Sequence, residues 1–151
     1  MLRLLLNFIL FRHLRASKKK QDFKKCLESE LVEGFLDILL DLMSIVFFVD
    51  KNFRRNIENF NARYLFKDKS DSIHVGAIFE NSKLKVVNKE IDNVNVTLIF
   101  KDEKALAKFL LSASPDILNA LLNQEVDFSG NINYISKFAY MAMHLKLAVM
   151  P

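Results

Sequence analysis

The spacing of apolar residues changes twice along this chain, and these changes constrain the fold more than any other feature. Residues 62–101 alternate apolar and polar side chains with a period of two, as half-buried β-strands do. Residues 28–49 and 102–147 instead repeat apolar side chains every three or four positions, which is typical of amphipathic helices. A sheet covered on one face by helices satisfies both patterns, so the sequence predicts an α+β fold.

The alternating region divides into four strands, and a fifth short strand follows later in the chain. Turn-forming residues such as Asn81-Ser82 separate the segments. Short connections favour an antiparallel meander for the first four strands, within an antiparallel or mixed sheet of about five. The predicted strands are 62–67, 73–80, 83–87, 94–101 and 126–129.

The last third of the chain, Asn95 to Leu147, supplies the helices that cover the sheet. Asp102 is a candidate N-cap, and Ser114-Pro115 has the composition of a cap followed by the first helical residue. Gly130-Asn131 predicts a turn before a long final helix. This stretch holds more large apolar side chains than a self-contained core needs, which is the main indication of function.

The composition bounds the class of protein. A chain of 151 residues with 51% hydrophobic residues suits one domain, and such a domain buries roughly 68–70% of its unfolded surface. The single cysteine, Cys26, has no internal partner, so the sequence gives no sign of an oxidising compartment and a cytoplasmic location is expected.

Motifs that carry catalysis are absent from the sequence. Only 3 glycines occur, so a glycine-rich phosphate loop is excluded, and no cysteine pair or His-Glu motif indicates a metal. The three histidines, His13, His74 and His144, are far apart and have no neighbours that suggest a proton relay. We therefore expect no catalytic residue, no metal and no cofactor, and predict a protein that is not an enzyme.

The positive charge is concentrated at the N-terminus. Residues 1–25 contain 8 lysines and arginines against the single acid Asp22, whereas the remaining residues are net acidic. The apolar run LRLLLNFILF is too short to span a bilayer, which takes about 20 residues. The basic run RHLRASKKK that follows it lacks the interleaved aromatic residues on which nucleic-acid bases stack, so we do not expect nucleic-acid binding.

Two interpretations of this N-terminal segment stay open. It either docks on an anionic membrane, the inner face of the cytoplasmic membrane being the expected location, or packs on its own domain or on a second copy. In the first case the membrane-docking residues are Leu5, Leu6, Ile9, Arg12, Arg15, Lys18, Lys19 and Lys20.

The helix predicted within residues 28–49 is apolar along most of its length. Glu33, Asp37 and Asp41 form an acidic stripe on it that argues against a membrane span and is best explained as a solvated face. Asp50, Lys51 and Asn52 break the pattern. We therefore divide the chain into an N-terminal helical segment, 1–50, and a second domain, 51–151.

The order of elements in the second domain resembles the sterol carrier protein type-2, or non-specific lipid-transfer, family. The resemblance covers roughly residues 53–147, with NARYLFKDKSDSIHVGAIFENSKLKVV at 61–87 similar to the family's first hairpin. The later matching segments are VTLIF at 96–100, KDEKALAKFLL at 101–111, SPDILNALL at 114–122, VDFSGN at 126–131 and ISKFAYMAMHLKL at 135–147. By analogy, the chain looks closer to the bacterial single-domain members of the family, which include accessory factors thought to hold isoprenoid quinone precursors.

The resemblance implies a non-enzymatic carrier that binds an acyl, isoprenoid or sterol-like lipid in an apolar tunnel. Judged by apolar composition alone, the apolar side chains of this domain would instead fill a solid core with no tunnel. The alternative function is that of a scaffold protein, which uses the 28–49 helix to bind another protein. A homodimer formed through the N-terminal helices is a further possible assembly. The lipid-binding residues that we predict are Phe79, Leu98, Phe100, Phe109, Leu110, Leu121, Phe128, Phe138, Met141 and Met143.

Overall fold

The computed structural model describes residues 14, 15, 17–22, 24, 34–110 and 117–149. Residues 14–24, where described, are helical. The helices that follow are α1 (Phe35–Val49), α2 (Lys51–Arg54), a 3-10 turn (Arg55–Ile57), α3 (Glu103–Leu110), α4 (Ile117–Leu122) and α5 (Ile132–Val149). The strands are β1 (Ala62–Asp68), β2 (His74–Glu80), β3 (Lys83–Val87), β4 (Val96–Phe100) and β5 (Val126–Gly130).

The five strands form one mixed sheet in the order β3-β2-β1-β4-β5. The predicted α+β class and the number of strands are confirmed. The predicted meander is wrong at one point, because β4 pairs in parallel with β1 and not with the preceding strand β3. The other three pairings are antiparallel.

The connection between β3 and β4 explains the parallel pairing. Ile91, in this connection, packs onto Gly76 of β2, where an added Cβ atom would lie 2.8 Å from the Ile91 Cγ2 atom. The backbone N–H of Asn95 then donates to the Arg63 carbonyl at 2.8 Å, and the Asn95 side chain accepts from the Arg63 N–H at 2.8 Å. These contacts carry the chain across β2 and deliver it to the open edge of β1.

Helix α1 lies inside the core and not beside it. Its buried apolar side chains belong to one continuous cluster with residues of the sheet and of α3 and α5. The core therefore continues across residue 50, where the sequence divides the chain. The eight buried side chains of α1 are Phe35, Leu36, Leu39, Leu40, Leu42, Met43, Val46 and Phe47.

Side-chain caps begin several helices. Asp102 accepts a hydrogen bond from the Ala105 N–H at 2.8 Å, as the sequence predicts, and Asn131 accepts from the Asn133 N–H at 2.9 Å at the start of α5. The predicted Ser114-Pro115 helix start lies outside the described residues. In the part of the chain that the structure describes, no helix is both long enough and apolar enough to cross a bilayer.

Candidate functional site

An apolar layer between the sheet and its helices brings most of the predicted lipid-binding residues together. Seven of the ten are buried in the core cluster: Phe79, Leu98, Phe100, Phe109, Leu110, Phe138 and Met141. Phe128 is half-buried and packs against the cluster, while Leu121 and Met143 are half-buried on α4 and α5. The layer thus draws on β2, β4 and β5 and on three helices.

Aromatic rings occupy the middle of this layer. The Tyr64 ring centroid lies 5.4 Å from that of Phe79 and 5.5 Å from that of Phe138, and Phe66 lies 5.0 Å from Phe138. Tilted and edge-on rings at these separations attract one another beyond the effect of burial. Tyr64 and Phe66 were not among the predicted site residues, although their places on the apolar side of β1 were visible in the alternation of the sequence.

One buried hydroxyl group lies within this aromatic cluster. The Tyr64 hydroxyl donates to the Tyr134 carbonyl oxygen at 2.7 Å, so its polar atom has a partner. Burial, and then the neighbouring Tyr134 side chain, raise the pKa of Tyr64 above its ordinary value. The hydroxyl therefore stays neutral and adds a single fixed dipole to an otherwise apolar layer.

Helix α1 forms part of the same layer, which the prediction did not anticipate. Phe47 lies 6.1 Å from Phe79 and 4.5 Å from Phe53, measured between ring centroids. The signal in the sequence was the apolar spacing of residues 35–49, but that spacing does not say which surface the helix covers. The apolar side of this helix is buried against the chain's own sheet, whereas Phe48 and Val49 near its end are 51% and 48% exposed.

The two described histidines, His144 and His74, each have a polar side chain within hydrogen-bond distance. Asn56 Nδ2 lies 2.9 Å from His144 Nδ1, and His74 Nε2 lies 2.7 Å from Asp71 Oδ1. His13 and Cys26 lie outside the described residues. Within the described ranges, no three histidine, cysteine, aspartate or glutamate side chains are grouped so that they could hold a metal ion.

A small charged network lies at the surface around His74. Hydrogen bonds to Glu90, and then to Asp71, raise the pKa of Lys67, and hydrogen bonds from His74 and then Lys67 lower the pKa of Asp71. Lys67 Nζ is 2.9 Å from Glu90 and 3.3 Å from Asp71. Exposed pairs of this kind add little stability, and the network lies outside the apolar layer.

The predicted membrane-docking residues are only partly described. Arg15, Lys18 and Lys20 are exposed, whereas Lys19 is half-buried and pairs with Asp41 of α1 at 3.1 Å. Lys19 is therefore in contact with α1. Leu5, Leu6, Ile9 and Arg12 lie outside the described residues.

The strand order, the parallel β1-β4 pair and the covering helices define the fold of sterol carrier protein type-2 domains. The same fold occurs in a UbiJ-SCP2 ubiquinone synthesis protein, with a TM-score of 0.57, 15% identity and coverage of 78% of this chain and 93% of that one. It also occurs in the sterol carrier protein domain 2 of Helicoverpa armigera, with a TM-score of 0.51, 13% identity and coverage of 70% and 84%. The resemblance predicted from the sequence is thus confirmed as a shared fold.

A third similar structure belongs to a much larger protein. The inverting sec-alkylsulfatase Pisa1 from Pseudomonas sp. matches with a TM-score of 0.58 and 14% identity over 70% of this chain, but the match spans only 16% of the sulfatase chain. No protein-family model matches the sequence, and no curated protein matches it either.

Proposed function

We propose that this chain is a non-enzymatic carrier that binds one hydrophobic lipid between its sheet and its helices, for transfer or storage. The observation that carries the proposal is the apolar layer, which unites seven of the ten predicted lipid-binding side chains in a sterol-carrier-type fold. Two small domains of the same fold are named as a ubiquinone synthesis protein and a sterol carrier domain, which supports a ligand with an isoprenoid, acyl or sterol-like chain.

The energetics favour such a ligand once it is inside. Each methylene group moved from water into the apolar layer contributes about 0.8 kcal/mol, so a chain of ten or more carbons would be held firmly. The described side chains contact one another within the layer, so entry requires part of the helical cover to move. Helices α3 and α5 flank the layer and are the elements that we expect to shift.

Native mass spectrometry and organic extraction of the full-length protein test the proposal. We expect one lipid per chain, either co-purified or taken up from added isoprenoid or acyl lipid. Phe138→Leu, which removes a ring from the middle of the layer, should change the preferred chain length, whereas Tyr140→Leu on the exposed side of the same helix should not. A protein that neither carries nor takes up lipid would refute the proposal.

We also propose that residues 1–25 dock this carrier on the anionic inner face of the cytoplasmic membrane. The exposed Arg15, Lys18 and Lys20 support this role, because each lysine or arginine near an anionic surface contributes about 1 kcal/mol. Lys19 is less suited to it because of its pair with Asp41.

Flotation with anionic vesicles tests docking on the full-length chain. Lys18→Glu with Lys20→Glu should abolish co-flotation, and Lys85→Glu with Lys89→Glu, two exposed lysines on the sheet side, serve as the matched control. Equal flotation of both double variants would remove the docking role from the N-terminal segment while leaving the lipid-carrier proposal intact.

A further inference from the structure

A groove of about 550 Å³ lies beside α1 at the margin of the apolar layer, and Phe47 contributes to both. It is lined by Arg15, by the second half of α1, by Arg54 of α2 and by residues 81–84, where β2 turns into β3. Its volume is within the range of small-molecule sites, which is about 300–1,000 Å³. None of the ten predicted lipid-binding residues is among its lining residues.

The floor of the groove is apolar and firmly held. Phe47 is 1% exposed, Leu84 is 6% exposed and Ile45 is half-buried. The Ser44 hydroxyl donates to the Leu84 carbonyl oxygen at 3.1 Å and so ties α1 to the edge strand β3. An alkyl chain laid on this floor would be partly removed from water at little cost in rearrangement.

The rim of the groove is cationic. Arg15, Arg54 and Lys83 lie along it, and its acidic member, Asp41, has an ion pair with Lys19 at 3.1 Å. Arg54 Nη1 donates to the Phe47 and Phe48 carbonyl oxygens at 3.2 and 2.9 Å. These two bonds fix the position of the guanidinium group, which lowers the entropy cost of using it to bind an anion.

A second cleft extends the positive charge beyond the groove. It has a volume of about 320 Å³, shares Arg54 and Ser82 with the groove, and adds Lys51 and Arg55 against one acid, Glu58. Several cations around one concave surface raise the local concentration of anions and favour phosphate-type groups over neutral ones.

We propose that this groove is a second ligand site, which takes an anionic amphiphile with a phosphate-type head group and an alkyl or isoprenoid chain. The head group contacts Arg54 and Lys83, and the first carbons of the chain lie on Ile45 and Leu84. The groove shares Phe47 with the apolar layer, but none of the ten predicted lipid-binding residues lines it, so the proposal does not depend on a lipid in the layer.

Calorimetric titration of the full-length protein with soluble short-chain probes tests this site. Dihexanoylphosphatidic acid below its micelle concentration should bind more tightly than dihexanoylphosphatidylcholine, which has no net charge, and more tightly than inorganic phosphate, which has no chain. Binding should weaken as the salt concentration rises.

Three single variants separate the head-group contact from the chain contact. Lys83→Ala should weaken phosphatidic acid binding about fivefold, whereas Lys85→Ala, the exposed lysine two residues further along β3, should change it less than about twofold. Ile45→Ala should weaken phosphatidic acid binding but leave phosphate binding unchanged. Each variant should keep the wild-type melting temperature.

Two outcomes would overturn the proposal. One is equal affinity of the Lys83→Ala and Lys85→Ala variants for phosphatidic acid, and the other is equal affinity of the wild type for phosphate and phosphatidic acid. Lys83 is not among the predicted lipid-binding residues of the apolar layer, so lipid co-purified with the Lys83→Ala variant should match the wild type even where phosphatidic acid binding falls, and failure of the groove and failure of the carrier function give different results.

Discussion

Gly34 and Gly130 both have a positive φ, but the structure requires glycine at the two positions for different reasons. Gly34 has a φ of 75° and open space around the position of a Cβ atom, so only its backbone conformation favours glycine. Gly130, at the end of β5, has a φ of 108°, and a Cβ atom there would overlap the Asn95 carbonyl oxygen. Gly130 pairs with Val96, so the close approach of two backbones, in addition to the turn, requires glycine at this position.

We expect Gly130→Ala to be much more costly than Gly34→Ala. The Gly130 change combines a disfavoured φ with a backbone overlap and should lower the free energy of unfolding by about 3–5 kcal/mol, against about 1 kcal/mol for the Gly34 change. Urea unfolding followed by circular dichroism measures both. Equal losses would show that β5 can move away from Asn95 without penalty.

Asp68 is a buried carboxylate at the end of β1, with 8% of its surface exposed. Its Oδ1 atom accepts from the Ser72 and Ile73 N–H groups, each at 2.8 Å, and its Oδ2 atom accepts from the Ser70 and Ser72 hydroxyls. Burial alone would raise the pKa of Asp68, but these hydrogen bonds outweigh it and hold the pKa well below its usual range.

The depressed pKa of Asp68 predicts acid sensitivity. Its contribution to stability is present above the unfolded-state pKa of about 3.9 and is lost as the pH falls from there toward the folded-state pKa. Asp68→Asn should lower the free energy of unfolding near neutral pH by about 2 kcal/mol. As the pH falls below about 4, the variant should lose less stability than the wild type, because it has no carboxylate at this position to protonate. Asp92→Asn, at an exposed position, is the control and should keep the wild-type pH profile.

At the scale of elements, the start of α1 depends on a residue far along the chain. Glu103, the first residue of α3, accepts hydrogen bonds from the Gly34 N–H at 2.8 Å and the Leu36 N–H at 3.3 Å. The first N–H groups of a helix have no partner within the helix, and a carboxylate there also suits the positive end of the helix dipole. This contact joins the start of α1 to the start of α3, the helix that follows β4.

Removal of this contact should destabilise α1 first at its N-terminus. Glu103→Ala should cost about 1 kcal/mol, and Glu103→Gln should cost less because the amide oxygen still accepts a hydrogen bond. Hydrogen exchange of the Leu36 amide measures the local effect and urea unfolding the global one. Unchanged exchange at Leu36 in Glu103→Ala, with Lys104→Ala as the surface control, would contradict the capping role.

At the scale of the whole molecule, one core unites the two sides of residue 50. Eight apolar side chains of α1 are buried in the same cluster as the sheet. Each such side chain contributes roughly 1.5–3 kcal/mol on burial, so their sum is comparable with or larger than the net stability of a typical domain, about 5–15 kcal/mol.

A chain that begins at Lys51 should therefore fail to fold cooperatively. Without α1, the buried Phe79 and Leu84 of the sheet would face water. We expect no cooperative urea transition and strong binding of a hydrophobic dye, whereas the full-length chain should unfold in one step. A sharp transition in the shortened chain would mean that residues 51–151 form an independent domain.

The local periodicity of the sequence was sufficient to identify the elements. All five strands were predicted within about two residues at each end, and Asp102 was identified as a helix cap. Alternation and capping depend on neighbours in the sequence, so they are readable without the fold. The same patterns identified seven of the buried side chains of the apolar layer, because core positions follow the period of each element.

Only the tertiary structure decided which elements meet. The pairing of β4 with β1, the burial of α1 and the assembly of the groove from Arg15, Ile45 and Lys83 all join residues distant in the chain. Short turns favoured a meander, but the contacts of Ile91 with Gly76 and of Asn95 with Arg63 favoured a crossover. The sequence by itself determined the elements and their apolar faces, since these are local properties. The choice of partner for each face is a competition among non-local contacts, and it is settled only when the chain packs.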